Sequence, residues 1–260
     1  MQITREYELL RQQLACLPRD FQDGKGILLF HGRNQIRKFT LADGTIVVVK
    51  RYKRHDLIKS IIYTFFRTNK ARRSFDNAHE LLSRGFDTPH PIACWEEKKM
   101  GLIRQVYYAC EYTEAQAIRQ RLIDQEPFDE QLATAYARFV ASLHENGILH
   151  RDLNPTNVLF TCSKRAKEQE SEKQYHFQLI DINRMRFYDS AVPKAECMEN
   201  LTLFWWLTDV YRFILREYAN IRGWTDEDIE EAINVKERHD RRWIRRKNFT
   251  AIFKHKNMRK

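Results

Sequence analysis

The stretch His150-Arg151-Asp152-Leu153-Asn154-Pro155-Thr156-Asn157-Val158-Leu159-Phe160, followed some way downstream by Leu179-Ile180-Asp181, decides how this chain is read. In order it supplies an aspartate, an asparagine a few positions on, and a second aspartate beyond an apolar run. That is one potential base and two hard oxygen donors. Singly, Asp and Asn are common turn formers. The ordered combination is far more demanding than any one of its residues.

The run matches the kinase catalytic-loop pattern, His-Arg-Asp-Leu with a following Asn, which implies phosphoryl transfer from ATP. On this reading Asp152 accepts the proton of the acceptor hydroxyl or orients it, while Asn157 and Asp181 hold Mg²⁺ against the phosphates. His150 is expected to be a buried scaffold residue, because the same motif gives the base role to Asp152. Upstream, Val47-Val48-Val49-Lys50 resembles the strand lysine that reaches the α- and β-phosphates, with Lys53 on a nearby turn as the alternative. Asp76 or Glu80, on the helix that follows, is expected to pair with that lysine. Where protein kinases usually carry three glycines over the phosphates, Leu29-Phe30-His31-Gly32-Arg33-Asn34 has one. Arg33, Asn34 or backbone amides near Gly32 then share the role. Gly32 and Glu111 join Lys50 in the expected ATP site.

Around these residues the periodicities predict an α+β chain. Strands are expected at 27–30, 36–41 and 46–50, with a hairpin turn at Ala42-Asp43-Gly44-Thr45, and another at 105–111. Helices are expected at 57–66, at 72–84 ending on Gly85, and at 128–144 ending on Gly147, with a helical chain beyond Met198. Residues 158–160 and 177–180 read as short strands around 161–176, a highly charged connection expected to be mobile. The boundary falls where Tyr112-Thr113-Glu114 changes to a helical pattern. It predicts a small antiparallel-sheet N-lobe over 1–112 and a mainly helical C-lobe over 113–260, a protein-kinase-like bilobal fold.

The catalytic loop, Ile180-Asp181-Ile182-Asn183-Arg184 in place of Asp-Phe-Gly, and Gly85-Phe86-Asp87-Thr88-Pro89-His90-Pro91 together resemble the bacterial lipopolysaccharide core kinases, which include the Kdo and heptose kinases. The similarity covers roughly 25–215, and the Asp-x-x-Arg form of Asp181 with Arg184 is its more specific cue. It implies phosphorylation of an inner-core sugar hydroxyl on a lipid A-core precursor, an anionic glycolipid, with Kdo preferred over heptose. No Ala-Pro-Glu follows Asp181, which leaves little room for a regulated activation loop.

Net charge is +10 and is concentrated locally: nine Lys or Arg face Asp56 alone over 50–73, and eleven face Glu237 and Asp240 over 236–260. Such windows suggest an anionic partner. The apolar positions Leu57, Ile58, Ile61, Ile62, Phe65 and Phe66, flanked by Lys53, Arg54, Lys59, Arg67 and Lys70, form a stripe that either packs on the small lobe or lies in a membrane interface. Trp243, Ile244, Phe249, Ile252 and Phe253 interleave with the basic C-terminal run in the same way. The charged N-terminus and the scattered cysteines predict a cytoplasmic chain with reduced thiols and no zinc, placed peripherally at the inner face of the cytoplasmic membrane. A small-molecule phosphotransferase of the aminoglycoside or choline kinase type is disfavoured by the basic surface. A non-catalytic kinase-like binding module is disfavoured by joint retention of Lys50, Asp152, Asn157 and Asp181. Nucleic acid is not expected as a partner, since no reading motif accompanies the charge.

Overall fold

The computed structural model describes residues 1–54, 56–164 and 173–257. The chain divides into two compact units, one of Met1–Ala115 with Gln178–Arg184, the other of Gln116–Phe177 with Met185–Lys260.

The first unit is built on a six-stranded antiparallel sheet ordered β1-β5-β6-β4-β3-β2. Its strands are β1 (Gln2–Ile3), β2 (Ile27–His31), β3 (Gln35–Thr40), β4 (Ile46–Arg51), β5 (Pro91–Lys99) and β6 (Leu102–Glu111). Alternation along β4 buries Val47 and Val49 completely and turns Lys50 to the opposite face. Each face is covered by a helix. From α1 (Arg11–Gln22), Leu14, Leu17 and Phe21 pack with Phe39, Val47, Val49 and Tyr107. From α3 (Lys70–Ser83), Ala71 and Phe75 pack with Tyr52, Ile103, Val106 and Tyr108. The α3 N-terminus is capped by Asn69, whose side chain accepts from the Arg72 amide at 3.0 Å. Between β4 and α3 in sequence lies α2 (Leu57–Phe65), capped in the same way by Asp56.

Three of these elements, β1, α1 and β5, are additions to the periodicity reading. Pro18 inside α1 masks a helix whose apolar residues, Leu14, Leu17 and Phe21, nonetheless keep helical spacing.

The second unit contains β7 (Gln116–Ala117), α4 (Arg119–Leu122), α5 (Glu130–Glu145), β8 (Ile148–His150), β9 (Val158–Lys164), β10 (Lys173–Leu179), β11 (Met185–Phe187), α6 (Lys194–Leu201), α7 (Asp209–Arg222) and α8 (Asp226–Asn257). Strands β10, β9 and β7 form one small sheet, and β11 pairs with β8. Much of the charged connection over 161–176 is therefore strand rather than loop, while 165–172 lie outside the described residues. Helix α5 buries Leu132, Tyr136, Val140 and Leu143, and α7 buries Val210, Ile214 and Tyr218. At the end of α5, Gly147 has φ +69°, and a Cβ there would lie 2.5 Å from the carbonyl oxygens of Tyr188 and Ser190. Only glycine admits both the turn and that approach, so this residue sets where β8 and the loop after it begin.

Candidate active site

The first unit joins two residues far apart in the chain. Lys50 Nζ donates to Asp181 Oδ1 at 2.8 Å, and Asn183 Nδ2 donates to the same oxygen at 2.7 Å. Asp181 has φ +54°, in the left-handed region that Asp tolerates better than most residues. Backbone in this region is concentrated at functional sites. Burial opposes the Lys50 charge, but Tyr52 and the Asp181 carboxylate outweigh it and the pKa is raised. The lysine therefore stays an ammonium.

Other cations gather near this pair. Lys70 is pushed down by its own burial and then by Arg33 and Arg184, with Arg73 adding to the repulsion and Asp181 opposing it. Around Lys70, then, the repulsion of Arg33, Arg184 and Arg73 is opposed by the Asp181 carboxylate, a predominantly cationic setting. Arg184 and Asp181 thus both act on Lys70, which with Arg73 comes from α3.

Neither acid proposed as the partner of Lys50 holds it. Asp76 accepts from Arg72 Nε at 2.7 and 2.8 Å, and Glu80 accepts from Arg84 Nε at 2.7 Å, both pairs within α3 or at its end. The helix instead reaches the Asp181 segment through Asn77, whose Nδ2 donates to the Ile182 carbonyl at 2.7 Å. Gly32 and Arg33 border a cationic hollow of about 280 Å³ with Arg51, Tyr52, Lys53 and Arg54. The residue that contacts Asp181 is Lys50, and Lys53 lines this hollow. Glu111, at the end of β6, accepts from Tyr7 Oη at 2.6 Å through its carboxylate, and its amide donates to the His90 carbonyl at 2.9 Å.

The second unit holds the loop after β8. Asp152 accepts at Oδ1 from Asn154 Nδ2 at 3.2 Å, and its carbonyl accepts from Asn157 Nδ2 at 2.8 Å. Committing the Asn157 nitrogen to the loop leaves the oxygen end of that amide as its acceptor. The Asn154 oxygen in turn accepts from the Thr156 amide at 3.0 Å, so the Asn-Pro-Thr-Asn turn is closed on itself. His150 is buried, and its Nδ1 accepts from the Asp152 amide at 3.1 Å. It therefore holds the loop's shape.

Beneath the loop runs a buried chain that the periodicity reading missed. Asn200 Nδ2 donates to the His150 carbonyl at 2.9 Å, and Asn200 Oδ1 pairs with His144 Nε2 at 3.0 Å. His144 Nδ1 pairs with Tyr218 Oη at 2.7 Å. Because Asn200 spends its donor on His150, its oxygen must accept, so His144 carries hydrogen on Nε2 and Tyr218 donates to Nδ1. The only sequence signal was polar residues on otherwise apolar helix faces.

Asn154 also opens onto a cleft of about 460 Å³, walled by Phe204, Trp205, Trp206 and Trp243 with Lys247 at its edge. Trp206 and Trp243 meet edge to face with centroids 4.9 Å apart. Lys236, buried under them, donates to the Thr202 carbonyl at 3.0 Å and to Asp240 at 2.7 Å.

Each unit presents a hard oxygen donor of the chemical kind that Mg²⁺ takes, Asp181 in the first and Asn157 in the second. Among the described residues no cluster of three or more His, Cys, Asp or Glu is gathered as a transition-metal site would require.

Comparison with known proteins bears on the fold and the family. A solved structure of WaaP in complex with acyl carrier protein matches 93% of this chain and 99% of its own, at 19% identity and a TM-score of 0.61. The Rio2 kinase-ADP/Mg2+-phosphoaspartate complex from Chaetomium thermophilum matches 86% of this chain and 75% of its own, at 18% identity and a TM-score of 0.49. Ribosomal protein S6 kinase 2 alpha of Xenopus laevis is 29% identical over 96 residues, 35% of this chain and 13% of that protein. The fold is α+β and protein-kinase-like, with an antiparallel-sheet N-lobe and a helical C-terminal region. The Lipopolysaccharide kinase (Kdo/WaaP) family matches residues 36–234, well over half of the chain, and the chain belongs to that family of kinases.

Proposed function

We propose that this chain transfers the γ-phosphate of ATP to a hydroxyl of a lipopolysaccharide inner-core sugar. The observation that carries the reading is the Lys50–Asp181 contact of 2.8 Å, set among cations that a triphosphate would neutralise. Lys50, with Arg33 and the backbone near Gly32, binds the phosphates, and Glu111 contributes at the far end of β6. Asp181 and Asn157 would hold Mg²⁺, which would neutralise phosphate charge when bound. Asp152 orients the acceptor hydroxyl and takes its proton. The acceptor oxygen forms a bond to the γ-phosphorus while the bond to the β-phosphate oxygen breaks, leaving ADP. Few groups act covalently, so positioning and charge supply the catalysis.

The acceptor is assigned to the Trp206–Trp243 cleft, where Asn154 of the catalytic loop meets aromatic walls on which a sugar ring can stack. Kdo is preferred over heptose because its carboxylate gives Lys247, which lines the cleft, a charge to meet that a neutral heptose lacks. Dependence on ATP places the reaction in the cytoplasm. The partner named in the WaaP structure, acyl carrier protein, is carried to this chain as a protein to test in binding assays.

Incubation with labelled ATP and lipid A precursors bearing Kdo or heptose, followed by mass spectrometry, tests the acceptor. Phosphate on Kdo supports the reading, phosphate on heptose alone replaces the sugar, and phosphate on neither refutes the acceptor class. Asp152→Ala and Asp181→Ala should each nearly abolish transfer with circular dichroism unchanged. Retention of about a tenth of wild-type turnover in either folded variant refutes its role, since losses of a general base alone are commonly 10²-fold or more.

A further inference from the structure

Helix α2 is turned inside out. Its polar side faces the sheet: Ser60 is fully buried, and Thr64 Oγ1 accepts from the Ile103 amide of β6 at 2.9 Å while donating to the Ser60 carbonyl at 2.6 Å. Its apolar side faces out, with Leu57 60%, Ile58 72%, Phe65 68% and the adjoining Phe66 80% exposed. Ile61 and Ile62 continue the patch at 39% and 40%. Scattered exposed apolar residues are ordinary, but a contiguous patch of this kind marks an interaction surface. The stripe read from sequence as core or membrane-facing is therefore not core.

Charge around the patch selects the occupant. Lys53, Arg54, Lys59 and Arg67 are exposed on or beside the helix, and Asp56 is the acid at its start, bonded to Lys59. Lys70 of the same basic window is partly buried and feels the Asp181 carboxylate, as Lys50 does, so the window splits into an inner group and a surface group. A second copy of the chain would bring like charges together, whereas an anionic bilayer offers both hydrocarbon and opposite charge. We propose that α2 is an interfacial anchor whose apolar face enters an anionic membrane while these cations meet the headgroups. The proposal stands independently of the sugar acceptor, because binding is read without catalysis.

The test uses the full chain with phosphatidylcholine vesicles, alone or mixed with phosphatidylglycerol. Cosedimentation should require the anionic lipid, fall away near 0.5 M salt, where the Debye length is about 4 Å, and drop roughly tenfold or more in an Ile58→Ser, Phe65→Ser double variant. Both residues are exposed, so the variant should keep its melting temperature. As a second reading, Phe66→Trp should show fluorescence quenched by brominated acyl chains. Failure of the wild type to bind anionic vesicles overturns the proposal, as does undiminished binding by the double variant or an unquenched Trp. A dimer, or a complex with acyl carrier protein, that depends on α2 in a chain that ignores vesicles overturns it in favour of that partner.

Discussion

Titration of His144 should set the acid stability of the unit that carries the catalytic loop. The ring is almost wholly enclosed, with its two nitrogens occupied by Tyr218 and Asn200. Burial lowers its pKa from 6.5 to about 4, against a smaller opposing contribution from the Asn200 hydrogen bond and with Arg222 adding to the fall. Above pH 6.5 the folded and unfolded chains both hold it neutral. Below that, the unfolded chain takes up a proton that the folded chain refuses, so stability falls with pH until the folded ring titrates near 4. At 1.36 kcal/mol per pKa unit the whole interval is about 3 kcal/mol, of which about 2 kcal/mol is lost by pH 5. Urea denaturation of wild type and His144→Gln at pH 7 and pH 5 isolates this share, because other titrating groups are common to both. The variant is expected to start less stable, and its loss between the two pH values should be smaller by about 2 kcal/mol. Equal losses would mean that His144 is reached by solvent, and the assigned tautomer would fall with that result.

Three further outcomes are expected. Asp181→Ala should weaken binding of a Mg²⁺–nonhydrolysable ATP complex in calorimetry more than Asp152→Ala, since only Asp181 contacts Lys50 and only it is assigned to the metal; equal losses would exchange or merge the two roles. Gly147→Ala should cost about 3 kcal/mol in thermal or urea unfolding, because it adds backbone strain at positive φ to a clash with two carbonyl oxygens, and a cost below about 1 kcal/mol would refute that packing. Lys236→Met should destabilise by about 3 kcal/mol by removing the buried ammonium from Asp240, which keeps its His239 contact, and from the Thr202 carbonyl, and Lys236→Met with Asp240→Leu should recover part of it; no recovery would show that the ion pair is not the source.

The legible parts of this chain were those fixed by local chemistry. Val47, Val49 and Lys50 alternate along one strand, so the burial of the valines and the opposite orientation of the lysine followed from the pleat. Gly85 and Gly147 ended their helices where expected, each at positive φ. What escaped the reading depends on distant partners. Asp76 and Glu80 were equal candidates for Lys50 by spacing, and only the fold reveals that Arg72 and Arg84 hold them. Asn77, on the same helix, carries no signature of the carbonyl it binds in the Asp181 segment. Asn200 and His144 look like polar interruptions until α5, α6 and β8 are assembled around them. For α2, periodicity located the apolar stripe but could not orient it, because Ser60 is buried and Thr64 finds a partner on β6 that the local sequence does not show.

That orientation changes the meaning of the charge. Read along the chain, residues 50–73 form one basic block, yet the strand places Lys50 against Asp181 and α3 carries Lys70 to where the same carboxylate acts on it. Lys53, Arg54, Lys59 and Arg67 remain on the surface beside exposed Ile58 and Phe66. Reversing the inner cations should therefore damage nucleotide binding in solution at any lipid composition. Reversing Lys59 and Arg67 to Glu should leave turnover on a delipidated acceptor unchanged and lower it on a vesicle-embedded one, by roughly tenfold or more if each lost cation is worth about 1 kcal/mol at the surface. Equal loss on both acceptors would place these outer cations in the nucleotide group and remove the division that the structure draws within the block.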